Sequence, residues 1–254
     1  MTVRVLGALL ALSAHLLLVV TVWFLLPFLR GDHEPGPSAA GAWWWAPDLL
    51  LVLQFSALHS LLLWRPVRAR LERWLPRPLH GCLFCAVTCL CLLSLIALWQ
   101  TSPVVLYRLE GAPAASVQTA YLFSWVGLVY SLSLTGFGNQ TGWTPFWAWL
   151  RGRGARRRFE VRGAYRWLRH PVYLCFLGQV WLTPVLSLDR ALLNVLFTAY
   201  IFLGSYWKDR RLVFYLGDAY RHYQARVPGY PLVGLGPLGR VPLAPPGVTA
   251  GARP

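Results

Sequence analysis

The stretch VLGALLALSAHLLLVVTVWFLLPFL, from Val5 to Leu29, decides the kind of fold that this chain can adopt. It contains no Asp, Glu, Lys or Arg, and it is longer than the roughly 20 apolar residues that a helix needs to cross a bilayer. It is also about twice as long as the apolar part of a secretory signal peptide, and no convincing cleavage site follows it. We therefore predict an uncleaved membrane-spanning helix.

Five further apolar stretches extend this pattern along the chain. The predicted spans are Val5–Leu29, Trp45–Trp64, Gly81–Trp99, Val117–Phe137, Pro171–Leu188 and Ala191–Trp207. The last two are short and separated only by Asp189 and Arg190, which predicts a tight helical hairpin. The 56% hydrophobic content and the mean hydropathy of +0.47 agree with a membrane protein. The sequence thus predicts an all-α, polytopic integral membrane bundle of about six spans, with a C-terminal hairpin and a cytoplasmic amphipathic segment after it.

The net charge of +15 is distributed unevenly across these spans. Of the 24 Lys and Arg residues, only Arg30, Arg108 and Arg190 fall on the side opposite the N-terminus. An excess of cations in cytoplasmic loops is the positive-inside pattern, so we expect both termini to be cytoplasmic. We expect the cell membrane rather than an endomembrane. The expected partners of the cations are membrane lipids and not nucleic acid, because no nucleic-acid-binding motif accompanies the charge.

Four of the five cysteines lie in the third predicted span. Cys82, Cys85 and Cys89 share one helical face, which is one arrangement that a soft metal ion could use. No histidine or carboxylate joins them inside the span, and free cysteine packs as a small apolar residue. We therefore predict packing and no metal site.

The stretch RGAYRWLRHPVYL, from Arg162 to Leu174, places several cations directly before a predicted span. Proline is favoured in the first turn of a helix, so Pro171 is predicted to begin the fifth span, with Arg169 and His170 at its N-terminus. Free backbone N–H groups and the positive end of the helix dipole attract anions at such a place. The stretch indicates either an anion-binding corner at Arg169 or the ordinary cationic flank of a membrane helix.

Two other features bring polar chemistry to the membrane. The segment after the hairpin, which begins with Lys208–Leu212, contains Asp209, Tyr220 and Tyr223 and returns to the same side as the corner. It either contributes these residues to a site at the corner or is only the charged flank of a membrane helix. His59 lies inside the second span. An ionisable residue there either has a function or forms a hydrogen bond within the bundle.

Several motifs in the C-terminal half occur together in one order. They are Gly163-Ala-Tyr165-Arg166, Arg169-His170-Pro171-x-Tyr173, Thr183-Pro184 and Gly217-x-x-Tyr220-x-x-Tyr223-x-x-x-Val227-Pro228. With these motifs the chain resembles the membrane-embedded methyltransferases related to isoprenylcysteine carboxyl methyltransferase, in particular the methanethiol S-methyltransferase and nurim-like branches. The resemblance covers about residues 50–231 and is strongest from Phe159 onward.

The resemblance implies an enzyme that binds S-adenosylmethionine on the cytoplasmic side, beside the hairpin. Its methyl acceptor would be a small or lipid-borne thiol, or a carboxylate. By resemblance Asp209 is catalytic, and the cofactor-binding residues are Tyr165, Arg169, His170, Tyr173, Lys208, Tyr220 and Tyr223. Many family members have two glutamates where this chain has Lys208 and Asp209. That departure leaves open the alternative of a non-catalytic, nurim-like membrane scaffold that keeps the fold.

These features divide the chain into three predicted parts. Residues 1–137 form a four-span membrane bundle, and residues 138–231 form a methyltransferase-like region that contains the hairpin. Residues 232–254 form an irregular tail, because they are rich in proline and glycine.

Overall fold

A computed structural model describes residues 2–31, 43–154 and 159–243. Five helices in these ranges are long and apolar enough to cross a membrane. They are α1 (Thr2–Arg30), α2 (Trp45–Leu63), α4 (His80–Leu98), α5 (Gly111–Thr135) and α9 (Leu188–Leu216). The shorter elements are α3 (Arg65–Leu71), β1 (Val105–Arg108), α6 (Phe137–Gln140), α7 (Trp143–Leu150), α8 (Pro171–Trp181), β2 (Val185–Ser187) and α10 (Asp218–Arg226). The predicted all-α integral membrane bundle is confirmed.

The membrane-spanning helices pack around two layers of buried side chains. Near the N-terminus of α1, which we call the basic end of the bundle, Ala11 and Ala14 pack against the cysteine face of α4. At the opposite end, Phe28 of α1 and Trp99 after α4 belong to a second apolar layer. Cys82, Cys85 and Cys89 are all buried in the first layer, as the packing interpretation predicts.

The fifth predicted span is wrong in its length. α8 ends at Trp181 and is therefore only about 16 Å long, whereas the hydrocarbon core is about 30 Å thick. Proline disfavours helical conformation in the residue before it, and Pro184 follows closely. The chain instead continues into β2, which pairs antiparallel with β1 from the loop between α4 and α5. A short helix and an extended segment thus share this crossing.

The predicted hairpin turn is also corrected. Asp189 and Arg190 do not form the turn but lie in the first turn of α9. Asp189 is buried, and its carboxylate accepts hydrogen bonds from Nε1 of Trp99 at 3.0 Å and from the backbone N–H of Ser102 at 3.1 Å. These bonds attach the start of α9 to the end of α4.

The segment after Trp207 is helical, but it forms two helices. α9 continues without a break through Lys208 and Asp209 to Leu216, and α10 follows after Gly217, whose positive φ of 56° favours glycine. Residues 227–243, which we call the C-terminal strap, contain no helix and fold back over α10. The remainder of the predicted tail and residues 155–158 of the basic loop lie outside the described residues. The division of the chain into three parts stays a prediction.

The half-length helix α8 leads to a topology prediction. If α8 and its extended segment complete a crossing, β1 and α10 lie on opposite sides of the membrane. An Arg108→Cys variant and an Arg221→Cys variant, both at exposed positions, should then react with a membrane-impermeant thiol reagent from opposite sides. Labelling of both from one side would contradict the six-crossing topology. The wild-type chain measures the background from its own cysteines.

Candidate functional site

The Arg169-His170-Pro171 motif meets the C-terminal strap directly. Pro171 begins α8, as predicted, and His170 precedes it. The backbone N–H of Arg169 donates to the carbonyl of Pro228 at 2.9 Å, and that of His170 donates to Gly229 at 3.2 Å. A Cβ on Gly229 would lie 2.5 Å from a strap carbonyl and 3.1 Å from the His170 ring. The glycine of the Val-Pro-Gly sequence therefore permits this close approach.

The side chain of Arg169 is completely buried and held from several directions. Its guanidinium donates to the carbonyls of Gln224 at 3.1 Å, Val227 at 3.0 Å and Pro237 at 3.0 Å. The same guanidinium lies 3.0 Å from Oδ2 of Asp209. The predicted anion-binding corner is thus closed to solvent in this structure, and the anion that occupies it is the chain's own carboxylate.

Asp209 forms the centre of a buried polar cluster, which we call the Asp209 cluster and which comprises Arg169, His170, Asp209 and Tyr220. Besides Arg169, the carboxylate has Nε2 of His170 at 3.2 Å and accepts a hydrogen bond from the Tyr220 hydroxyl at 2.5 Å. Only 3% of Asp209 is exposed. A buried carboxylate requires such compensation, because the loss of its hydration is costly.

The other predicted cofactor residues extend this cluster at both sides. The Tyr223 hydroxyl donates to the carbonyl of Tyr165 at 2.6 Å, and the Tyr220 and Tyr223 rings lie 5.5 Å apart. On the other side the Tyr173 ring lies 5.5 Å from the His170 ring, and Nζ of Lys208 lies 4.9 Å from the centre of the Tyr173 ring. The eight residues singled out from the sequence therefore form one continuous set of contacts. Their individual roles stay predictions.

Burial shifts the pKa values of His170, Tyr220 and Tyr223, which lie outside the membrane-spanning helices. It raises the pKa of Tyr220, as does the negative charge of Asp209, so the phenol stays protonated and donates its hydrogen bond. Burial likewise raises the pKa of Tyr223. It lowers the pKa of His170 below the ordinary imidazole value, and the nearby Asp209 carboxylate opposes this only in part.

A cavity of about 1390 Å³ lies beside the cluster, between α1, α2, α4, α8 and α9. Its wall is mostly apolar. Of the predicted site residues, Tyr173 and Lys208 line the cavity, whereas Asp209, Arg169 and His170 lie behind them. The two side chains thus form the wall between a closed polar cluster and an open apolar space.

His59 also lines this cavity and forms a hydrogen bond within the bundle. Its Nδ1 lies 2.7 Å from the hydroxyl of Tyr200 on α9, and Oγ of Ser60 lies 3.0 Å from the same hydroxyl. The ring stacks on Phe55 with centroids 5.4 Å apart. His59 therefore forms the hydrogen bond within the bundle that one alternative predicts. Because His59 also lines the cavity, a functional role for it stays a prediction.

Sequence reasoning missed three residues of this region. Tyr230 of the strap packs its ring 5.5 Å from the ring of His170. Gln179 on α8 is 1% exposed and lines the cavity, and both its amide atoms lack a hydrogen-bond partner among the described residues. Tyr200 was missed because it lies in an apolar run. The signals were the place of Tyr230 directly after Val-Pro-Gly and the polar amide of Gln179 within an apolar helix.

Among residues 2–31, 43–154 and 159–243, no group of three His, Cys, Asp or Glu side chains is arranged to hold a metal ion. The expectation of no metal stays a prediction.

Comparison with known proteins identifies relatives that span most of the chain. It is 27% identical over 230 residues to a methanethiol S-methyltransferase of a Pseudomonas species, covering 87% of this chain and 88% of the relative. It is 28% identical over 227 residues to methanethiol S-methyltransferase 1 of Bradyrhizobium diazoefficiens, covering 85% and 78%. It is 31% identical over 203 residues to nurim of Mus musculus, covering 71% and 77%. The chain belongs to the family of nurim and the methanethiol S-methyltransferases.

This family assignment confirms the resemblance inferred from the motifs. No protein-family model matches the chain, and no solved structure does. The methyltransferase relatives and the nurim relative both align over more than two thirds of their own length, so membership by itself does not separate an enzyme from a nurim-like protein.

The Asp209 cluster leads to a stability prediction. Asp209→Asn should leave the buried charge of Arg169 without its partner, which costs about 3–5 kcal/mol and lowers the Tm by roughly 6–20 °C. Asp218→Asn is the matched control, because Asp218 pairs with Arg221 at the exposed surface, where ion pairs contribute little. Thermal unfolding of both variants in detergent measures the difference. Equal melting temperatures would show that the buried pair does not stabilise the fold.

The lowered pKa of His170 predicts a dependence of stability on pH. Below about pH 6.5 an unfolded imidazole binds a proton that folded His170 resists, so this contribution to stability is present at higher pH and is lost as the pH falls. The Tm should therefore drop between pH 7.5 and pH 5.5, and His170→Gln should reduce the drop. His222→Gln, at an exposed position, is the control. A drop of equal size in all three proteins would contradict the assignment to His170.

Proposed function

We propose that the protein is a membrane-embedded methyltransferase of the cell membrane. It transfers the methyl group of S-adenosylmethionine to a small or lipid-borne thiol, or to a carboxylate, at the cytoplasmic face. The observation that carries the proposal is the wall formed by Tyr173 and Lys208, where the closed polar cluster meets the apolar cavity. The names of the methanethiol S-methyltransferase relatives support the reaction class.

Residues in this wall and behind it fit the cofactor chemically. The sulfonium cation of S-adenosylmethionine suits the aromatic faces of Tyr173 and Tyr230. Its carboxylate and its polar adenine edge need hydrogen bonds. Nε of Arg169 and Nδ1 of His170 are buried and have no hydrogen-bond partner within the described part of the chain. These four residues would hold the cofactor, which supplies a methyl group activated by positive charge.

The cavity side of the wall suits an apolar methyl acceptor. Leu61, Leu203 and Trp207 line the cavity and are exposed on the outside of the bundle, so an acceptor can enter from the bilayer. His59 and Tyr200 offer the acceptor hydrogen bonds in a mostly apolar space. Methyl transfer is a direct displacement, so the protein contributes mainly by alignment and by excluding water.

Asp209 acts in this proposal as a positioning residue. The resemblance implies a catalytic Asp209, which would either position the cofactor or deprotonate a thiol. Its carboxylate does not line the cavity and is surrounded by Arg169, His170 and Tyr220, which favours the positioning role. By fixing the guanidinium and the imidazole, it determines how their remaining N–H groups are presented.

A non-catalytic membrane scaffold is the second candidate. Lys208 favours it, because an ammonium group stands where many family members carry a carboxylate. The 31% identity to nurim is consistent with this candidate as well as with the enzyme.

Binding of the cofactor separates the two candidates. Full-length protein purified in detergent should bind S-adenosylmethionine saturably in isothermal titration calorimetry. Tyr173→Ala should weaken the binding, whereas Trp74→Ala, at a position that is 89% exposed, should not. Absence of binding by the folded wild-type protein at millimolar cofactor would favour the scaffold.

The position of Lys208 predicts the sign of a charge change. Its ammonium lies 4.9 Å from the centre of the Tyr173 ring, which is proposed to receive the sulfonium, and it repels that cation. Lys208→Glu should therefore tighten cofactor binding, by roughly two- to thirtyfold if it frees a cation–π interaction of about 0.5–2 kcal/mol. Arg210→Glu makes the same charge change two residues away and is the control. Weaker binding by Lys208→Glu would mean that Lys208 holds the cofactor carboxylate instead.

A further inference from the structure

The charged residues of the cavity are all cations and are gathered at its basic end. They are Arg65, Lys208, Arg210 and Arg211, and no Asp or Glu of the described chain lines the cavity. Arg211 is half-buried and forms no hydrogen bond or ion pair with any described residue. A guanidinium partly removed from water without a partner is unfavourable, so this end of the cavity favours an anion.

Arg65 is held at the rim of the same end. Its guanidinium lies 3.1 Å from the centre of the Phe214 ring, and Arg65 is exposed. Stacking on the ring face leaves the N–H groups at the edge of the guanidinium available, and such groups match a phosphate or carboxylate. Arg65 and Arg211 thus place two guanidinium groups at the same end of the cavity.

The apolar part of the cavity is long enough for the acyl chains of one membrane leaflet. Its apolar wall on α9 extends from Leu193 to Trp207, which is about 21 Å at 1.5 Å per residue, against about 15 Å for the hydrocarbon depth of one leaflet. The exposed side chains of Leu61, Leu203 and Trp207 show that the cavity opens sideways, toward the position of the lipids. Its volume of about 1390 Å³ exceeds the roughly 300–1,000 Å³ typical of pockets for one small molecule.

We propose that this cavity is a binding site for an anionic membrane phospholipid. The phosphate is bound by Arg211 and Arg65, with Lys208 adding positive charge, and the acyl chains lie along α9. The lateral opening and the length favour a bilayer phospholipid over a soluble anion. The inference does not depend on methyl transfer, because a small acceptor needs only the part of the cavity beside Tyr173.

Native mass spectrometry of the full-length protein tests the headgroup site. The protein in detergent is titrated with dioleoyl phosphatidylglycerol and with dioleoyl phosphatidylcholine, which has the same chains and no net charge. We expect one tightly bound phosphatidylglycerol and at least tenfold weaker binding of phosphatidylcholine. Arg211→Gln should weaken phosphatidylglycerol binding by about ten- to a hundredfold, the effect of losing a charge-assisted hydrogen bond. Arg221→Gln, which removes an exposed arginine outside the cavity, should leave it unchanged.

A second variant tests the acyl-chain site without touching a charge. Gly204 lines the cavity in the middle of α9, and a Cβ there would have no atom within 4 Å, so Gly204→Phe fills the cavity without a clash at its base. The exchange also removes a helical glycine, which favours folding. Gly204→Phe should weaken the binding of dioleoyl phosphatidylglycerol at least tenfold. It should affect dihexanoyl phosphatidylglycerol, whose chains are short, much less.

The outcomes that overturn the proposal are distinct. Equal affinity for the two dioleoyl lipids, or equal effects of Arg211→Gln and Arg221→Gln, would reduce the cations to general surface charge. Unchanged dioleoyl phosphatidylglycerol binding by Gly204→Phe would exclude the cavity as the place of the chains. Tighter one-to-one binding of oleate than of phosphatidylglycerol would make the site one for a free fatty acid.

Discussion

The buried pair of Arg169 and Asp209 connects every part of the C-terminal half. It attaches the start of α8 to the last turns of α9, and through the carbonyls that Arg169 binds it also holds the end of α10 and the strap. A guanidinium can satisfy this many acceptors because its donors form a rigid planar fork. Without the carboxylate, the same guanidinium would be an uncompensated charge in the interior. The ion pair is therefore the constraint on which the geometry of the candidate site depends.

This constraint explains why the site has two unlike sides. Behind Tyr173 and Lys208 the polar groups are buried and covered by the strap, and the contacts of Arg169 fix their orientation. In front of these two side chains the helices α2 and α9 leave an apolar space that opens to the lipids. Methyl transfer needs such a division, because a charged cofactor and an apolar acceptor must meet at one point while water is kept out. The phospholipid site makes use of the same apolar space farther along α9.

The sequence predicted the long helices well. An uncharged apolar run as long as Val5–Leu29 is compatible with few structures other than a membrane-spanning helix. It also predicted that Pro171 begins a helix, since proline fixes that position locally. The run from Pro171 to Leu188 was misjudged, because hydropathy does not distinguish a helix from an extended segment in the same environment. Pro184 was the local signal for the break.

The motifs in the sequence identified which residues belong to the candidate site. The arrangement of these residues depends on tertiary contacts, which the sequence does not show. Nothing in the order of residues indicates that carbonyls of Gln224, Val227 and Pro237 converge on Arg169. The predicted open corner is therefore closed. The cavity could not be predicted from the sequence either, because it is the space that α1, α2, α4, α8 and α9 leave between them.

The central claim is that the wall of Tyr173 and Lys208 joins a methyl donor to an apolar acceptor. The most direct measurement incubates the purified full-length protein, in lipid nanodiscs, with S-adenosylmethionine labelled in its methyl group and with a series of alkyl thiols. The labelled thioether is then quantified by mass spectrometry. The account predicts a labelled product from the wild-type protein that Tyr173→Ala abolishes and Trp74→Ala retains. If the folded wild-type protein binds the cofactor but forms no labelled thioether from any of the thiols, the account is contradicted.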